Sequence, residues 1–183
     1  LTGGEIVGQN WAGKAKPECR ILHLTDLHMT EKEGAGLVES HGQRIEPIRM
    51  RLRGILEHEA NKVDHVVITG DLTDSGQETE FRQISELIGK YCQHDTTTLI
   101  PGNHDLVQGS TFYAADKEQR MGLFTRWCGQ YMPSNIGVGQ MFPFVRWLGD
   151  RVAFIGLDSN GVGRTLYNSS YGDIDTAQLE RLR

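Results

Sequence analysis

The order of apolar and polar positions predicts alternating strands and helices over the first hundred residues. Short segments rich in apolar and β-branched residues at 20–24, 65–69 and 97–100 have the composition of strands, and the nearly continuous β-branched run at 65–69 suits a strand buried on both faces of a parallel sheet. Apolar residues recur every three or four positions over 44–61 and 76–91, which is typical of amphipathic helices. This alternation implies right-handed crossovers and parallel strands.

The second half of the chain predicts a less regular order of elements. Apolar spacing predicts a helix over 121–131 and the start of another over 175–183. Two apolar segments, 141–148 and 152–157, flank a Gly-Asp pair, which predicts an antiparallel hairpin. Ahead of the second helix, Ser75 and Glu78 have the spacing of a capping box. Asp74 is interpreted as part of the turn before that helix.

Length, composition and charge indicate one globular domain. A chain of 183 residues with 38% hydrophobic residues is long enough for one core, which we assign to 19–183 after a flexible lead-in over 1–18. With 19 basic and 24 acidic residues, the formal charge of −5 argues against general affinity for nucleic acid or anionic lipid. No apolar run has the length of a membrane span, and three cysteines without CxxC spacing favour a reduced, cytoplasmic setting.

Three short polar motifs follow the three predicted strands of the first half. The motifs are Asp26-Leu27-His28, Gly70-Asp71 and Gly102-Asn103-His104-Asp105. Because the carboxyl ends of parallel strands meet at one edge of a sheet, we expect these side chains to share a pocket. Carboxylate, imidazole and amide groups suit Mn, Fe or Zn. Any one motif is weak, since Gly and Asp are common in turns, but the three together predict a dinuclear metal site.

The spacing of the ligands suggests a role for each. Asp26 and His28 are two residues apart, so in an extended segment both side chains would lie on one face and hold one ion. Asp71 has two carboxylate oxygens and could bridge two ions. Asn103 could give an amide oxygen to the second ion.

A pair of such ions has a known chemistry at phosphorus. Two divalent ions about 3.5–4 Å apart hold the attacking and leaving oxygens of an in-line displacement and generate hydroxide near neutral pH. His104, next to a ligand, is the candidate proton donor to the leaving alkoxide. Asp105 is expected to hold that imidazole in orientation.

These motifs in this order resemble the calcineurin-like metallophosphoesterase family. The segments 23–28, 70–76 and 155–159 are similar to its cyclic-nucleotide phosphodiesterase-like branch. The resemblance extends from about residue 20 to the end of the sequence. It implies an α/β fold of the four-layer αββα sandwich type, a pair of Mn, Fe or Zn ions, and hydrolysis of phosphoric esters.

The resemblance also implies the roles of single residues. By position, Asp26, His28 and Asp71 would bind the first ion. Asp71 and Asn103 would bind the second, and His104 would be the proton donor. The family pattern continues with a Gly-His and a Gly-His-x-His, but all seven histidines of this chain lie at or before His104. We therefore expect the first ion to lack one ligand and the second to lack two.

This departure determines the state expected for the chain. We interpret 19–183 as the N-terminal portion of a metallophosphoesterase domain, with an incomplete sandwich and little activity alone. A missing C-terminal segment would complete it. The aromatic side chains of Trp127, Phe142, Phe144 and Trp147 fit core or sheet packing, but without that segment some of them would be exposed, which predicts poor solubility or self-association.

Two functions from different classes are compatible with the sequence. The first is metal-dependent hydrolysis of a phosphoric ester, with a phosphodiester preferred and a cyclic nucleotide as candidate substrate. The alternative is a non-catalytic interaction module that has kept the fold. Within the enzyme class, protein phosphatase, nuclease and pyrophosphatase activities stay open. For the enzyme we expect a phosphate-ester substrate as the partner, and we expect no association with a membrane.

Other polar residues are interpreted as structural. His23 and His65 lie within predicted strands. Asn160 and Tyr171 are assigned to packing in preference to a substrate cleft. His41, in the loop after the first motif, is interpreted as exposed in preference to a substrate contact.

Overall fold

A parallel sheet of three strands carries the first half of the chain, as the alternating pattern predicts. The computed structural model describes residues 19–30, 45–107, 114–133, 141–150, 152–161 and 172–182. Strands β1 (Ile21–Leu24), β2 (His65–Thr69) and β3 (Thr97–Ile100) lie in chain order, with β2 in the middle. Both pairings are parallel, and Val66 of β2 is opposite Leu22 of β1.

Five α-helices lie between and after these strands in the described part of the chain. They are α1 (Ile45–Glu59), α2 (Glu78–Gly89), α3 (Asn103–Leu106), α4 (Ala114–Cys128) and α5 (Thr176–Arg181). Each crossover between parallel strands contains a helix, α1 in the first and α2 in the second, because parallel pairing needs a long connection. The helix predicted over 121–131 begins earlier than expected, and 129–131 form a single 3-10 turn.

The core lies between the helices and this sheet. β2 is buried from 65 to 68, which explains why its sequence is apolar at consecutive positions. Ile68 of β2 belongs to one buried cluster with Leu56 of α1, Ile84 of α2 and Phe124 of α4, and all four are fully buried. This cluster fixes the strands whose carboxyl ends carry the polar motifs.

The predicted hairpin is confirmed and forms a second sheet. β4 (Phe144–Leu148) and β5 (Val152–Gly156) pair antiparallel around Gly149, whose φ of +60° suits a tight turn. The hairpin packs against the first sheet, since Phe154 stacks on His65 with 5.4 Å between ring centroids. The α/β class predicted from the sequence is thereby confirmed.

Arg146 of β4 ties the hairpin to the edge of the first sheet. Its Nη1 donates hydrogen bonds to the carbonyl oxygens of His94 at 2.9 Å and Thr97 at 2.8 Å. Its Nη2 donates to the carbonyl of Tyr131 at 3.0 Å. Trp147 is 63% exposed, whereas Phe142 and Phe144 are buried in the core, so only part of the expected aromatic exposure is present.

The capping box of α2 is built from other residues than predicted. The N-cap is Gln77, and the carboxylate of Glu80 accepts hydrogen bonds from the amides of Gln77 at 3.1 Å and Ser75 at 3.0 Å. Glu78 points away and forms an ion pair with Arg126 at 2.9 Å. Glu80 is the buried carboxylate of the two, so it takes the nearby backbone donors.

Some predictions fall on residues outside the described ranges. They are the flexible lead-in over 1–18, the exposed His41 and the packing role of Tyr171. Among the described helices, none combines the length and the apolar composition needed to cross a bilayer.

Candidate metal centre

The three predicted motifs follow the carboxyl ends of β1, β2 and β3, and backbone hydrogen bonds join their loops. The amide of His28 donates to the carbonyl of Asp71 at 2.9 Å, and that of Asp26 donates to Gly70 at 3.3 Å. The amide of Gly70 donates to the carbonyl of Ile100, the last residue of β3, at 2.8 Å. The loops therefore continue the pairing of the sheet, and their side chains meet at one edge.

His28 lies between two carboxylates. Its Nε2 is 3.9 Å from Oδ1 of Asp26 and 3.8 Å from Oδ2 of Asp71. These separations are too long for hydrogen bonds, whereas two ligands that each lie about 2.0–2.2 Å from one ion are separated by up to roughly 4 Å. The side chain of Asp26 is 61% exposed and that of Asp71 is 14% exposed, so the pocket opens to solvent on one side.

His104 brings a second imidazole to the same pocket. The rings of His28 and His104 are nearly perpendicular, with 4.5 Å between their centroids. One potential ligand atom from each of His28, Asp71 and His104 lies within 4.8 Å of the others. Nδ1 of His104 is 2.9 Å from the carbonyl oxygen of Asp74, which can only accept, so Nδ1 carries a hydrogen and Nε2 is the ring nitrogen that can exchange a proton.

The extended backbone expected at the first motif is wrong. Asp26 has a φ of +55° and His28 a φ of +41°, and Asp71 in the second motif has a φ of +48°. Residues with a Cβ rarely adopt this left-handed region, and a strained position costs about 1–3 kcal/mol. Leu27 between the two ligands is only 8% exposed, and its burial helps to hold the turn. A tight turn, and not the alternation of a strand, brings Asp26 and His28 together.

Gly102 allows the third loop to close against the second. A Cβ at this position would overlap with the carboxylate Oδ1 and the amide nitrogen of Asp71. The amide of His104 donates a hydrogen bond to the same Oδ1 at 2.9 Å. One oxygen of Asp71 is therefore held by the third loop, while the other faces His28 of the first.

The prediction that Asp105 orients the imidazole of His104 is wrong. Asp105 is fully buried, and its oxygens accept hydrogen bonds from the amides of Leu72 at 3.1 Å, Thr73 at 2.8 Å and Gly102 at 2.8 Å. The hydroxyl of Thr73 also donates to it at 2.7 Å. Burial raises the pKa of Asp105 to about 6, although these hydrogen bonds by themselves lower that pKa. The carboxylate joins the second and third loops, because backbone donors surround it.

Asp74 has a larger part in the pocket than its interpretation as a turn residue implies. Its Oδ1 is 3.8 Å from Nδ1 of His28, and its carbonyl accepts from His104. Within the described residues, Nδ1 of His28 is buried and has no hydrogen-bond partner. Asp74 therefore faces both imidazoles. The three-residue spacing from Asp71 across a tight turn is the sequence signal that could have identified it.

Of the other two predicted ligands, Asp26 borders the pocket at 3.9 Å from His28, and among the described contacts none joins the side chain of Asn103 to it. Asn103 is the first residue of α3 and is half-buried beside His104. Oδ2 of Asp26 accepts a 2.6 Å hydrogen bond from the hydroxyl of Thr25, which is also 2.8 Å from the carbonyl of Thr69. Sequence reasoning missed Thr25, because a threonine before an aspartate is common and carries no signal of its own.

The histidines interpreted as structural lie in the first sheet, outside the polar pocket. Nε2 of His65 is 2.8 Å from the hydroxyl of Thr98, and the ring is buried between the two sheets. Burial, with a smaller effect of Arg146, lowers the pKa of His65 to about 4. His23 makes a 2.6 Å contact from Nε2 to the hydroxyl of Thr69.

The chemistry of the pocket fits a divalent cation. In the part of the chain that the structure describes, the only ion pairs of Asp26 and Asp71 are those with His28. Two carboxylates and two imidazoles thus converge, and among the described residues no lysine or arginine pairs with these carboxylates. Oxygen and nitrogen donors of this kind suit Mn, Fe or Zn.

Oxygen and nitrogen donors at the strand ends of an α/β sheet are typical of metal-dependent α/β enzymes. The family model for calcineurin-like phosphoesterases matches residues 19–179, and the chain belongs to this family. Its general activity is therefore that of a phosphoric ester hydrolase that depends on metal ions. A comparison with curated proteins gives no match.

Proposed function

We propose that the protein hydrolyses a phosphodiester at a dinuclear metal site formed by its three strand-end loops. The observation that carries this proposal is the position of Nε2 of His28, 3.8–3.9 Å from the carboxylates of Asp26 and Asp71. That separation suits ligands of a shared cation. Family membership independently supports metal-dependent hydrolysis of a phosphoric ester.

We assign the first ion to Asp26, His28 and Asp71, and the second to Asp71 and Asn103. When bound, the two ions (Mn, Fe or Zn) would supply positive charge to the phosphoryl oxygens and lower the pKa of a water. Asp71 suits a bridging role because the amide of His104 fixes its Oδ1 while its Oδ2 faces His28. Oδ1 of Asp74 faces Nδ1 of His28 at 3.8 Å, on the opposite side of the ring from Asp26 and Asp71.

His104 is the proposed proton donor to the leaving group. The hydrogen bond from its Nδ1 to the carbonyl of Asp74 fixes the orientation of the ring. Nε2 is then the atom that holds the proton and delivers it to the departing alkoxide. An alkoxide is a poor leaving group, so this proton matters more for an alkyl ester than for an aryl ester.

A cyclic nucleotide is the substrate that we propose. The segments 23–28, 70–76 and 155–159 support it through their similarity to the cyclic-nucleotide phosphodiesterase-like branch. The formal charge of −5 provides no general attraction to a polymeric nucleic acid, which favours a small substrate.

The full gene product, purified with Mn²⁺, is expected to hydrolyse both bis(p-nitrophenyl) phosphate and a 3′,5′-cyclic nucleotide. Asp71→Ala should lower kcat/KM at least about a hundredfold, because loss of groups that merely support a ligand already costs 10–100-fold. Asp150→Ala, at an exposed position of the hairpin turn, is the matched control and should keep full activity. Full activity in Asp71→Ala would reject the bridging role, and hydrolysis of the aryl ester alone would reject the cyclic nucleotide.

The alternative proposal is a non-catalytic module with the same fold. The observation behind it is that all seven histidines of these 183 residues lie at or before His104, so these residues do not supply the later histidines of the family pattern. Metal analysis separates the two functions. Two ions per chain in the full gene product support the enzyme, and no bound metal after supplementation with Mn²⁺ supports the module.

A further inference from the structure

The loop that follows β5 contacts the strand end that carries Asn103. Nδ2 of Asn160 donates hydrogen bonds to the carbonyl of Pro101 at 3.2 Å and to Oδ1 of Asp158 at 2.9 Å. Pro101 is buried and lies just after the last residue of β3. The carbonyl of Pro101 lies beyond the residues that pair β2 with β3, so the side chain of Asn160 supplies its hydrogen-bond donor.

The loop itself is held by two helices that are distant in sequence. Nζ of Lys117 in α4 donates to Oδ2 of Asp158 at 2.6 Å and to the carbonyl of Asn160. The side-chain amide of Gln178 in α5 accepts from the amide of Asp158 and donates to its carbonyl, both at 2.9 Å. Gln178 is 3% exposed, and the side chains of Asp158 and Lys117 are 13% and 20% exposed. A protected polar network therefore fixes Asn160 in place.

Pro101 matters for the pocket because it directly precedes the third motif. Gly102 is in contact with Asp71, and the amide of His104 donates to Oδ1 of Asp71. A shift of the backbone at 101 would move Asn103 and His104 together relative to Asp71.

We propose that Asn160 is a positioning residue for the metal centre: it holds the 101–104 segment so that Asn103 and His104 face Asp71. This inference rests on the proposed function for its meaning, since Asn103 is assigned there to the second ion. The side-chain amide of Asn160 is oriented by a hydrogen-bond network of Asp158, Lys117 and Gln178. These three residues therefore act on the pocket through Asn160.

The test compares Asn160→Ala with Ser159→Ala, both made in the full gene product. Ser159 is exposed in the same loop, and its side chain makes no hydrogen bond to the described residues, so its variant is the matched control. In the metal-free protein, hydrogen exchange of the His104 amide should be about tenfold faster in Asn160→Ala, while the amide of Ile68 in the core should not change. Mn²⁺ titration should show about tenfold weaker binding of one of two ions.

Asn160→Asp gives a second, independent test. It keeps the shape of the side chain but replaces the donor with a carboxylate beside Asp158 and the carbonyl of Pro101. Exchange of the His104 amide should be faster still than in Asn160→Ala.

The outcomes separate the two proposals. Equal exchange rates in Asn160→Ala and Ser159→Ala would overturn the positioning role, as would an acceleration that reaches Ile68 equally. Failure of the wild-type protein to bind Mn²⁺ would contradict the proposed function instead, whatever the exchange rates show.

Discussion

Left-handed backbone at Asp26, His28 and Asp71 is the least expected feature at the scale of single residues. Three non-glycine residues with φ between +41° and +55° occur together at the proposed ligands. Strained positions of this kind persist only where the surrounding structure holds them, and they cluster at functional sites. The sequence predicts the identity of these side chains but not their backbone, because the buried Leu27 and the pairing between loops impose it.

Thr25 gives a prediction at this scale. Its hydroxyl holds Oδ2 of Asp26 and leaves Oδ1 facing His28. Thr25→Val has the same shape without the donor, so Mn²⁺ affinity should fall about tenfold, as for other groups that support a ligand. Thr25→Ser keeps the hydroxyl and should bind as the wild type does. Calorimetric titration measures both, and equal affinity of the valine and serine variants would show that the hydroxyl does not position Asp26.

At the scale of elements, the sequence predicts strands better than it predicts helix ends. The bounds of β2 agree with the run predicted at 65–69, because its three central residues are apolar and buried. The cap of α2 could not be predicted, since Ser75–Glu78 and Gln77–Glu80 have the same spacing. The structure uses Gln77 and Glu80 because Glu80 is buried, and burial depends on how the helix packs in the folded protein.

His65 of β2 makes the stability of the fold depend on pH. Its pKa is about 4 in the folded protein against 6.5 unfolded, mainly because the ring is buried. Between these values the unfolded chain binds a proton that the folded chain does not, so stability falls as the pH drops from 6.5 towards 4. Between pH 7 and pH 5 the expected loss from this group is about 2 kcal/mol.

Urea unfolding at the two pH values measures this loss. His65→Gln removes the titrating ring and keeps an amide nitrogen at the reach of Nε2, which contacts the hydroxyl of Thr98. The wild type should lose about 2 kcal/mol more than this variant between pH 7 and pH 5. The same pH dependence in both proteins would mean that His65 is not the group responsible.

At the scale of the whole molecule, the motifs predict the class of fold and the family, and the structure and the family match confirm both. The order of elements is enough for this, because parallel strands bring their ends together whatever the details of the loops. The division into 1–18 and 19–183 stays a prediction. So does self-association through exposed residues such as Trp147, since no described residue shows what covers them.

The distant support of the pocket could not be predicted from the sequence. Asn160 is 57 positions from Asn103 along the chain, and only the folded structure brings its loop to the carbonyl of Pro101. Sequence spacing assigns Asp105 to the wrong partner for the same reason, because its neighbours in space are the amides of the second loop. Spacing in sequence predicts candidate ligands within a motif but not the distant residues that support them.

Anomalous diffraction from crystals of the full gene product grown with Mn²⁺ tests the metal site most directly. We predict two peaks about 3.5–4 Å apart. The first should lie about 2.0–2.3 Å from Nε2 of His28 and from carboxylate oxygens of Asp26 and Asp71, and the second should lie beside Asp71 and Asn103. Crystals that bind Mn²⁺ only elsewhere, or not at all, would contradict the assignment of these four ligands.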